Sequence, residues 1–593
     1  SDALTMREPS IPAPPLQARG AAAGLMGSSA SPDSLRLLRK TLAEQKTLRI
    51  SGILDRAVQD IKRHRLDSAA ELAIEALQID ERCGVGWHIL AVAQEGRGDF
   101  VNSLSCYEAA LALMPEDEEI LVNLGRLGFR MGMFETAEKI FRIFLSRVPE
   151  HAEGANNLAL AIRAQDRVPE AIEYLRNFLA QHPGYANIWN SLGTMVSDDG
   201  DLETAEIFYR EALRLDPGLA RARYNLGNLW MTLGDPEAAI KEIEDALKRP
   251  LSADEKAMMN LTRGLAQITL GRLSDGWKNY EARNDLNFPD GTYFAMEGPR
   301  WKPGLPLEGK SLLLIAEQGL GDEVLFGGIL PDVLGRLGPG GSLTLAVEPR
   351  LVPLFARSFP SARVEPHRTV NASGRTIRLV PNLEKGGSGI DYWSPMGSCL
   401  PEFRPDLESF PDRSGYLVPD PVRVAHWRNV LESAPVGPKV GLLWKSAVLT
   451  GGRNRYFSPF DAWEPVLRTK GTVFVNLQYG DVEEELRMAR ERFGVEVWNP
   501  PGIDLRQDLD DVTALSSAMD LVIGFSNATF NLAAATGTPA WLISAKGAWT
   551  PLGTDRYPWY PQVRLYRPEA YGRWGPVLET IAADLGREFG TDR

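Results

Sequence analysis

IWNSLGTMVSDDGDLETAEIFYREALRLDP, residues 188–217, decides the fold of the first half of the chain. Its first thirteen residues read as an amphipathic helix running into a turn. The remainder reads as a second helix stopped by proline, which cannot continue one. The unit recurs: Pro115, Pro149, Pro183 and Pro217 lie 34 residues apart, and Pro250 follows at 33. Leu90, Leu124, Leu158, Leu192 and Leu226 keep the same step, as do Gly98, Gly132, Asp166, Gly200 and Gly234. Three series locked in phase predict a helical solenoid over residues 51–287. Ala171, Ala205 and Ala238 are read as the small residues that let helices approach closely. Asn123, Asn157 and Asn225 share one repeat position, with Ser191 between them. Two readings stand for these amides: a ladder along the concave groove that binds an extended peptide backbone, or a helix-contact residue that suits the repeat.

In degenerate form the unit is similar to the tetratricopeptide repeat, W-x2-L-G-x2-Y…A…F…P, over residues 51–285. A last unit, NLTRGLAQITLGRLSDGWKNYEARN (260–284), keeps Gly264 and Gly271 but lacks the closing proline. The array resembles that of the protein O-GlcNAc transferases, where such an asparagine ladder holds the acceptor polypeptide. The resemblance implies acceptor binding by Asn123, Asn157 and Asn225.

Composition narrows the rest. The chain has 593 residues, 44% hydrophobic and 24% charged, a net charge of −13 and no basic run, which argues against a nucleic-acid surface. Cys83, Cys106 and Cys399 form no CxxC, and the six histidines form no HxxxH pair, so neither a disulfide framework nor a metal site is expected. No apolar run reaches the ~18 residues of a transmembrane helix. Residues 1–34, rich in Pro, Ala, Gly and Ser, read as a disordered tail and not as a signal peptide, and 35–50 as an N-terminal helical segment. A cytoplasmic protein is expected.

After Asn287 the character changes. FPDGTYFAMEGPRWKPGLPLEG (288–309) reads as a linker. The apolar run SLLLIA (311–316) then leads through the turn EQGLGDE (317–323) into a helical stretch, followed by SLTLAV and PRLVPLFARSF. A second series has strands KVGLLWKS, TVFVNLQY, VEVWNP, DLVIGF and PAWLIS, with helical stretches between them. Strand–helix alternation predicts two α/β lobes, 310–420 and 421–593, with parallel sheets and a ligand cleft at the strand ends.

Candidate chemistry sits in the turns. Gly319 and Gly321 let backbone approach a ligand, and Asp322 reads either as a helix cap or as an acid–base group. Ser526 and Asn527 of GFSNATFN are cap types at a helix mouth that suits a phosphate. Lys445 and, on the following loop, Arg453 and Arg455 suit a phosphate leaving group, or a solvated loop. Asp508-x-Asp510 reads as an acidic helix start in preference to a metal motif. The run TDRYPWYPQVRLYRP (554–568) is expected to pack over a base or sugar.

Taken together, QGLGDEVLFGGILPDVL, VEPRLVPLFARSFP, VGLLWKS, FVNLQYGD, DLVIGFSNATFNLAAATGTPAW and YPWYPQVRLYRP resemble the bacterial tetratricopeptide-repeat glycosyltransferases. These are relatives of heptosyltransferases and O-GlcNAc transferases with a GT-B fold; the resemblance covers about residues 300–580. The pattern GGRNRYFSPFDAW, FVNLQYGD, EEEL, PGIDL is most similar to the flagellin O-glycosyltransferases of alphaproteobacteria, which transfer a nonulosonic acid of the pseudaminic type to Ser or Thr. What this implies is an inverting, metal-independent protein O-glycosyltransferase with no cofactor and a nucleotide-sugar co-substrate, with CMP as the expected nucleotide. Asp322 would be the base. Gly319, Gly321, Lys445, Arg453, Arg455, Gln478, Ser526, Asn527 and Asn531 would face the donor, and flagellin would lie in the repeat groove. Ser526 and Asn531 stand where related chains write Asp and His, so acid–base roles there do not carry over. Two alternatives remain: a non-enzymatic adaptor with a degenerate transferase half, or a UDP-sugar or heptosyl-type transferase acting on another protein or a glycan.

Overall fold

The computed structural model describes residues 32–372, 375–383, 389–446 and 456–590, and the chain forms two compact units that divide between Arg147 and Val148. The first unit is three helix pairs: Pro32–Lys62 with Leu66–Ile79, Gly84–Gly96 with Phe100–Leu113, and Glu118–Arg130 with Phe134–Arg147. Its first helix is continuous, so residues 35–50 are not a separate segment. Alanines at 69, 73, 76, 91 and 110 are fully buried and bring the helices together around Tyr107. The most deeply buried charge there is Glu95, held by Arg126, Arg130 and the Tyr107 hydroxyl; such a charge is tolerated only when paired and hydrogen-bonded.

The second unit opens with four more pairs: Ala152–Arg163 with Val168–Gln181, Ala186–Asp198 with Leu202–Leu215, Ala220–Leu233 with Pro236–Leu247, and Ala253–Thr269 with Leu273–Tyr280. The turn series has a conformational cause: Asp166, Gly200, Gly234 and Gly271 all have positive φ, which favours glycine. Close approach falls on Ala171, Ala205 and Ala239, all fully buried. Ala238 is half-buried and donates its N–H to the Asp235 cap, so the small-residue position lies one residue further on than the sequence suggests.

Among the described residues the remainder carries twelve strands: β1 Thr292–Phe294, β2 Ser311–Ile315, β3 Ser342–Val347, β4 Arg363–Pro366, β5 Arg368–Ala372, β6 Arg375–Leu379, β7 Tyr392–Pro395, β8 Lys439–Leu443, β9 Val473–Asn476, β10 Leu521–Phe525, β11 Ala540–Ile543 and β12 Val563–Tyr566. A four-stranded sheet in the order β4-β3-β2-β7 and a five-stranded sheet in the order β12-β11-β10-β8-β9 are each wholly parallel. A small sheet, β1-β6-β5, flanks the first. The segment read as a linker is therefore structural: β1 pairs with β6, and Trp301 is buried in the core. VEVWNP supplies only a bridge, Trp498 to Val475. The fifth strand of the second sheet is β12, drawn from the aromatic run that was expected to cover a base. Tyr557 and Tyr560 of that run are buried as core.

One continuous apolar cluster joins Ile268, Leu273 and Trp277 of the last repeat to Leu312 and Phe326 of the first lobe and Phe530 and Tyr557 of the second. The repeats of the second unit touch both lobes. The Trp277 indole donates to the Arg404 carbonyl (2.8 Å), and the turns at Gly234 and Gly271 pack on the Lys546–Gly553 loop after β11. No helix among the described residues is long and apolar enough to cross a membrane.

Candidate active site

Strand order locates the cleft. In the first sheet the chain runs outward from β2 through β3 to β4, then returns to place β7 on the other side of β2. In the second, β9 and β10 flank β8 on opposite sides. Such switch points open a crevice at the carboxyl ends of the strands. From β2 the chain passes Glu317, Gln318 and Gly319 into the Leu320–Phe326 helix; from β10 it passes Ser526 and Asn527 into the Ala528–Ala535 helix. The two turns meet: a Cβ at Gly321 would lie 3.4 Å from Asn531 Nδ2 and 3.6 Å from the Ala528 nitrogen. Around them lies one open cleft of about 820 Å³ lined by both lobes.

Asp322 is both a cap and a titratable group in the cleft. Its Oδ2 accepts the Gly319 N–H (3.2 Å) at the mouth of the helix. Burial raises its pKa to about 6. The Gly319 N–H opposes that shift, and Glu317 and Glu323 reinforce it. Opposite stand amides. Asn527 Oδ1 caps its helix by accepting the Phe530 N–H (2.9 Å), and Asn531 Nδ2 donates to the Asn527 carbonyl (2.9 Å) and Ser526 Oγ (3.4 Å). Asn527 Nδ2 and Asn531 Oδ1 are buried without a protein partner among the described residues. Burial pushes the Tyr557 hydroxyl up to about 12.

Gly319, Gly321, Asp322, Ser526, Asn527 and Asn531 thus come together around the cleft. Lys445 does not. Its ammonium is committed to Glu485 and to the Asp481 carbonyl (2.8 Å), because the helix that begins after Asp481 passes beside the end of β8. Gln478 is buried and holds that strand end from behind, its Oε1 accepting the N–H groups of Trp444 and Lys445, both at 3.0 Å. Arg453 and Arg455 lie outside the described residues. Asp508 caps a helix and pairs with Arg423, Asp510 pairs with Arg357, and Asp511 accepts from the Trp427 indole; these acids serve structure.

The repeat asparagines divide. Asn123 is 8% exposed and bonds His88 Nε2 (2.8 Å). Asn225 donates to Asn190 Oδ1 (2.9 Å) and Thr194 Oγ1 (3.2 Å). Both amides are engaged between neighbouring repeats, as the helix-contact reading requires. Asn157 is half-buried.

Four charged groups escaped the sequence reading. Arg350 and Arg506 line the cleft, Arg350 paired with Glu348 (2.8 Å) and donating to the Arg506 carbonyl (2.7 Å). Behind Asp322, Glu317 forms a buried bidentate pair with Arg283 of the repeat half, at 2.7 and 2.9 Å. An acid directly after SLLLIA was a visible signal for Glu317. The two arginines gave none.

Comparison with known proteins bears on the whole chain. Protein FlbA of Caulobacter vibrioides is 48% identical over 567 residues, covering 96% of this chain and 95% of its own. The chain belongs to the FlbA family. Within this FlbA relative, tetratricopeptide-repeat profiles match residues 122–186, 163–220 and 197–251. An N-terminal acetyltransferase A complex subunit-like protein of Schizosaccharomyces pombe is 32% identical over 74 residues, 12% of this chain and 11% of its own. A solved tetratricopeptide repeat protein from Parabacteroides merdae covers 39% of this chain and 91% of its own at 17% identity, with a TM-score of 0.32.

Proposed function

We propose that this chain is a protein O-glycosyltransferase whose two α/β lobes form a GT-B arrangement. Its donor is a CMP-linked nonulosonic acid and its acceptor a Ser or Thr of flagellin, captured by the repeats. One observation carries the reading: the Asp322 carboxyl group, its pKa pushed up by burial, stands across an open cleft from a neutral, amide-lined helix mouth. A base needs a pKa near working pH, and a phosphate needs N–H donors without a competing carboxylate.

In this reading the Asp322 carboxylate takes the proton of the acceptor hydroxyl as its oxygen bonds the anomeric carbon. The bond from that carbon to the phosphate oxygen breaks, and the nucleotide monophosphate leaves with the electron pair. Arg350 and Arg506, with the start of the Ala528–Ala535 helix, offset the charge that develops on it. These arginines take the role that the sequence suggested for Lys445. Flagellin and the nonulosonic acid rest on the resemblance of QGLGDEVLF, FVNLQYGD and the neighbouring motifs.

The departures at Ser526 and Asn531 favour a second reading, a repeat adaptor with an inactive transferase half. A thermal-shift screen with CMP, UDP and GDP separates the two. Stabilisation by CMP above the others is expected, and no response to any nucleotide sinks the enzyme. In the intact-mass assay of flagellin, Asp322→Asn is expected to lose transfer by at least about a hundredfold.

A further inference from the structure

The buried pair Arg283–Glu317 has no place in the chemistry just described, yet it lies directly beneath the turn that carries Asp322. Arg283 belongs to the short 3-10 turn Glu281–Asn284 that ends the last repeat. Its guanidinium is 4% exposed and donates from Nε to Glu317 Oε2 (2.9 Å) and from Nη2 to Glu317 Oε1 (2.7 Å). It also donates to the Tyr280 carbonyl (3.0 Å), Ser398 Oγ (3.2 Å) and Glu281 Oε2 (3.3 Å), and lies 4.2 Å from the centre of the Tyr280 ring. Glu317, 1% exposed, accepts two more bonds, from the Gly397 N–H at 2.6 Å and from Gln318 Nε2 at 3.5 Å. A Cβ at Gly397 would lie 2.6 Å from Glu317 Oε1 and 2.8 Å from Arg283 Nη2, so glycine is the residue that fits. The carboxylate therefore bridges β2 and β7 across the switch point of the first sheet.

Glu317 is followed at once by Gln318, whose φ of +62° is one that a side-chain-bearing residue seldom adopts. Such a backbone persists only where its surroundings over-determine it. The bidentate guanidinium and the Gly397 N–H do so on one side, and the Asp322–Gly319 bond on the other. A buried ion pair is a poor source of stability compared with apolar groups of the same shape, so its position beneath the turn points to geometry.

We propose that Arg283 is a positioning residue for the base: through Glu317 it fixes the Gln318–Asp322 turn and neutralises the Glu317 carboxylate. The inference rests on the transferase reading and names the part of the repeat half that the chemistry requires. The charged and titratable groups facing Asp322 are Glu317 and Glu323 on its own turn and helix, Tyr280 from the repeats and Tyr557 from the second lobe. Glu323 has its own partner in His367 (2.6 Å), and Glu281, which Arg283 also meets, is shared with Arg300, so of the two carboxylates on the turn and helix of Asp322 it is Glu317 that Arg283 holds.

The test uses the full chain, CMP-linked pseudaminic acid and flagellin, with the pH dependence of kcat as readout. Arg283→Gln leaves Glu317 uncompensated and is expected to move the acid limb to higher pH, with kcat down about tenfold or more and the donor KM within about twofold. Glu317→Gln is expected to move the limb to lower pH. Arg283→Lys, which keeps the charge without the bidentate grip, is expected to leave the limb in place and lower kcat alone. If Arg283→Gln does not fold, the other two variants still decide. Limbs that stay put in Glu317→Gln, or a kcat that falls only as far as thermal stability falls, overturn the proposal. Absence of transfer by the wild-type chain overturns the transferase reading and this inference with it, whereas wild-type transfer with unmoved variants overturns this inference alone.

Discussion

Asp322 answers to two demands that favour different protonation states. As a cap it accepts the Gly319 N–H, which favours the carboxylate, while burial between Glu317 and Glu323 favours the acid and prevails, giving a pKa of about 6 against 3.8. The folded-state value is raised, so the native state holds the proton more tightly than the unfolded chain. Its contribution to stability is present below pH 3.8 and is lost as pH rises through 6. Activity runs the other way, since the base must be ionised, and transfer is expected to rise with pH through about 6. At pH 8, Asp322→Asn should therefore abolish transfer and raise the melting temperature, because the amide keeps the Gly319 bond and removes a disfavoured charge. A differential scan of the two proteins at pH 5 and pH 8 checks this, and the stabilisation should vanish at the lower pH. The arginines offer a second test at this scale. Arg506→Gln is expected to weaken CMP binding about tenfold by calorimetry at unchanged melting temperature, while Lys445→Gln leaves affinity within about twofold. Such a contrast was beyond the sequence. Lys445 follows buried strand residues as a ligand lysine would, but Glu485, forty residues on, claims its charge. Ser526, Asn527 and Asn531 were legible because strand, turn and helix are contiguous there; Arg283 and Glu317 meet only through the fold.

Elements were legible where local pattern and tertiary role agree. The repeat helices, the strands β2, β3 and β8 to β11, and the positive-φ turns all announce themselves through period or punctuation. β12 did not, because Pro558 and Pro561 and the surrounding aromatics mask a four-residue strand, Val563–Tyr566, whose ends alone are buried. VEVWNP misled for the opposite reason: it alternates as a strand does, yet only Trp498 finds a partner on β9. The turn series shows what an element tolerates. Asp166 holds a φ of +63° that its counterparts meet with glycine, and Asp166→Gly is expected to stabilise the second unit by about 0.5–1 kcal/mol in urea denaturation. At the other extreme, Gln478 satisfies two backbone N–H groups at the end of β8 with one oxygen. Its loss in Gln478→Ala should cost about 2–3 kcal/mol in urea denaturation.

At the scale of the whole molecule, the boundary that the sequence draws at residue 287 separates repeats from α/β lobes by composition, whereas the core does not divide there. Ile268, Leu273 and Trp277 share one apolar cluster with both lobes, and Arg283 neutralises Glu317 beneath the cleft. A fragment beginning at residue 288 would expose that surface and leave a buried carboxylate unpaired, which costs about 3–5 kcal/mol by itself. It would also strip the Gly234 and Gly271 turns from the Lys546–Gly553 loop, which carries Thr550 to the cleft. Such a fragment is expected to lack a cooperative thermal transition. The fragment 148–593, which is a compact unit with all four of its helix pairs, is expected to unfold cooperatively and to bind CMP as the full chain does. The cut at Arg147/Val148 is therefore the one that tests the role of the repeats in acceptor capture. If repeats 32–147 hold part of the acceptor, that fragment should keep donor affinity and lose transfer to flagellin through KM. Equal transfer by both proteins would confine acceptor binding to the helices between Ala152 and Tyr280.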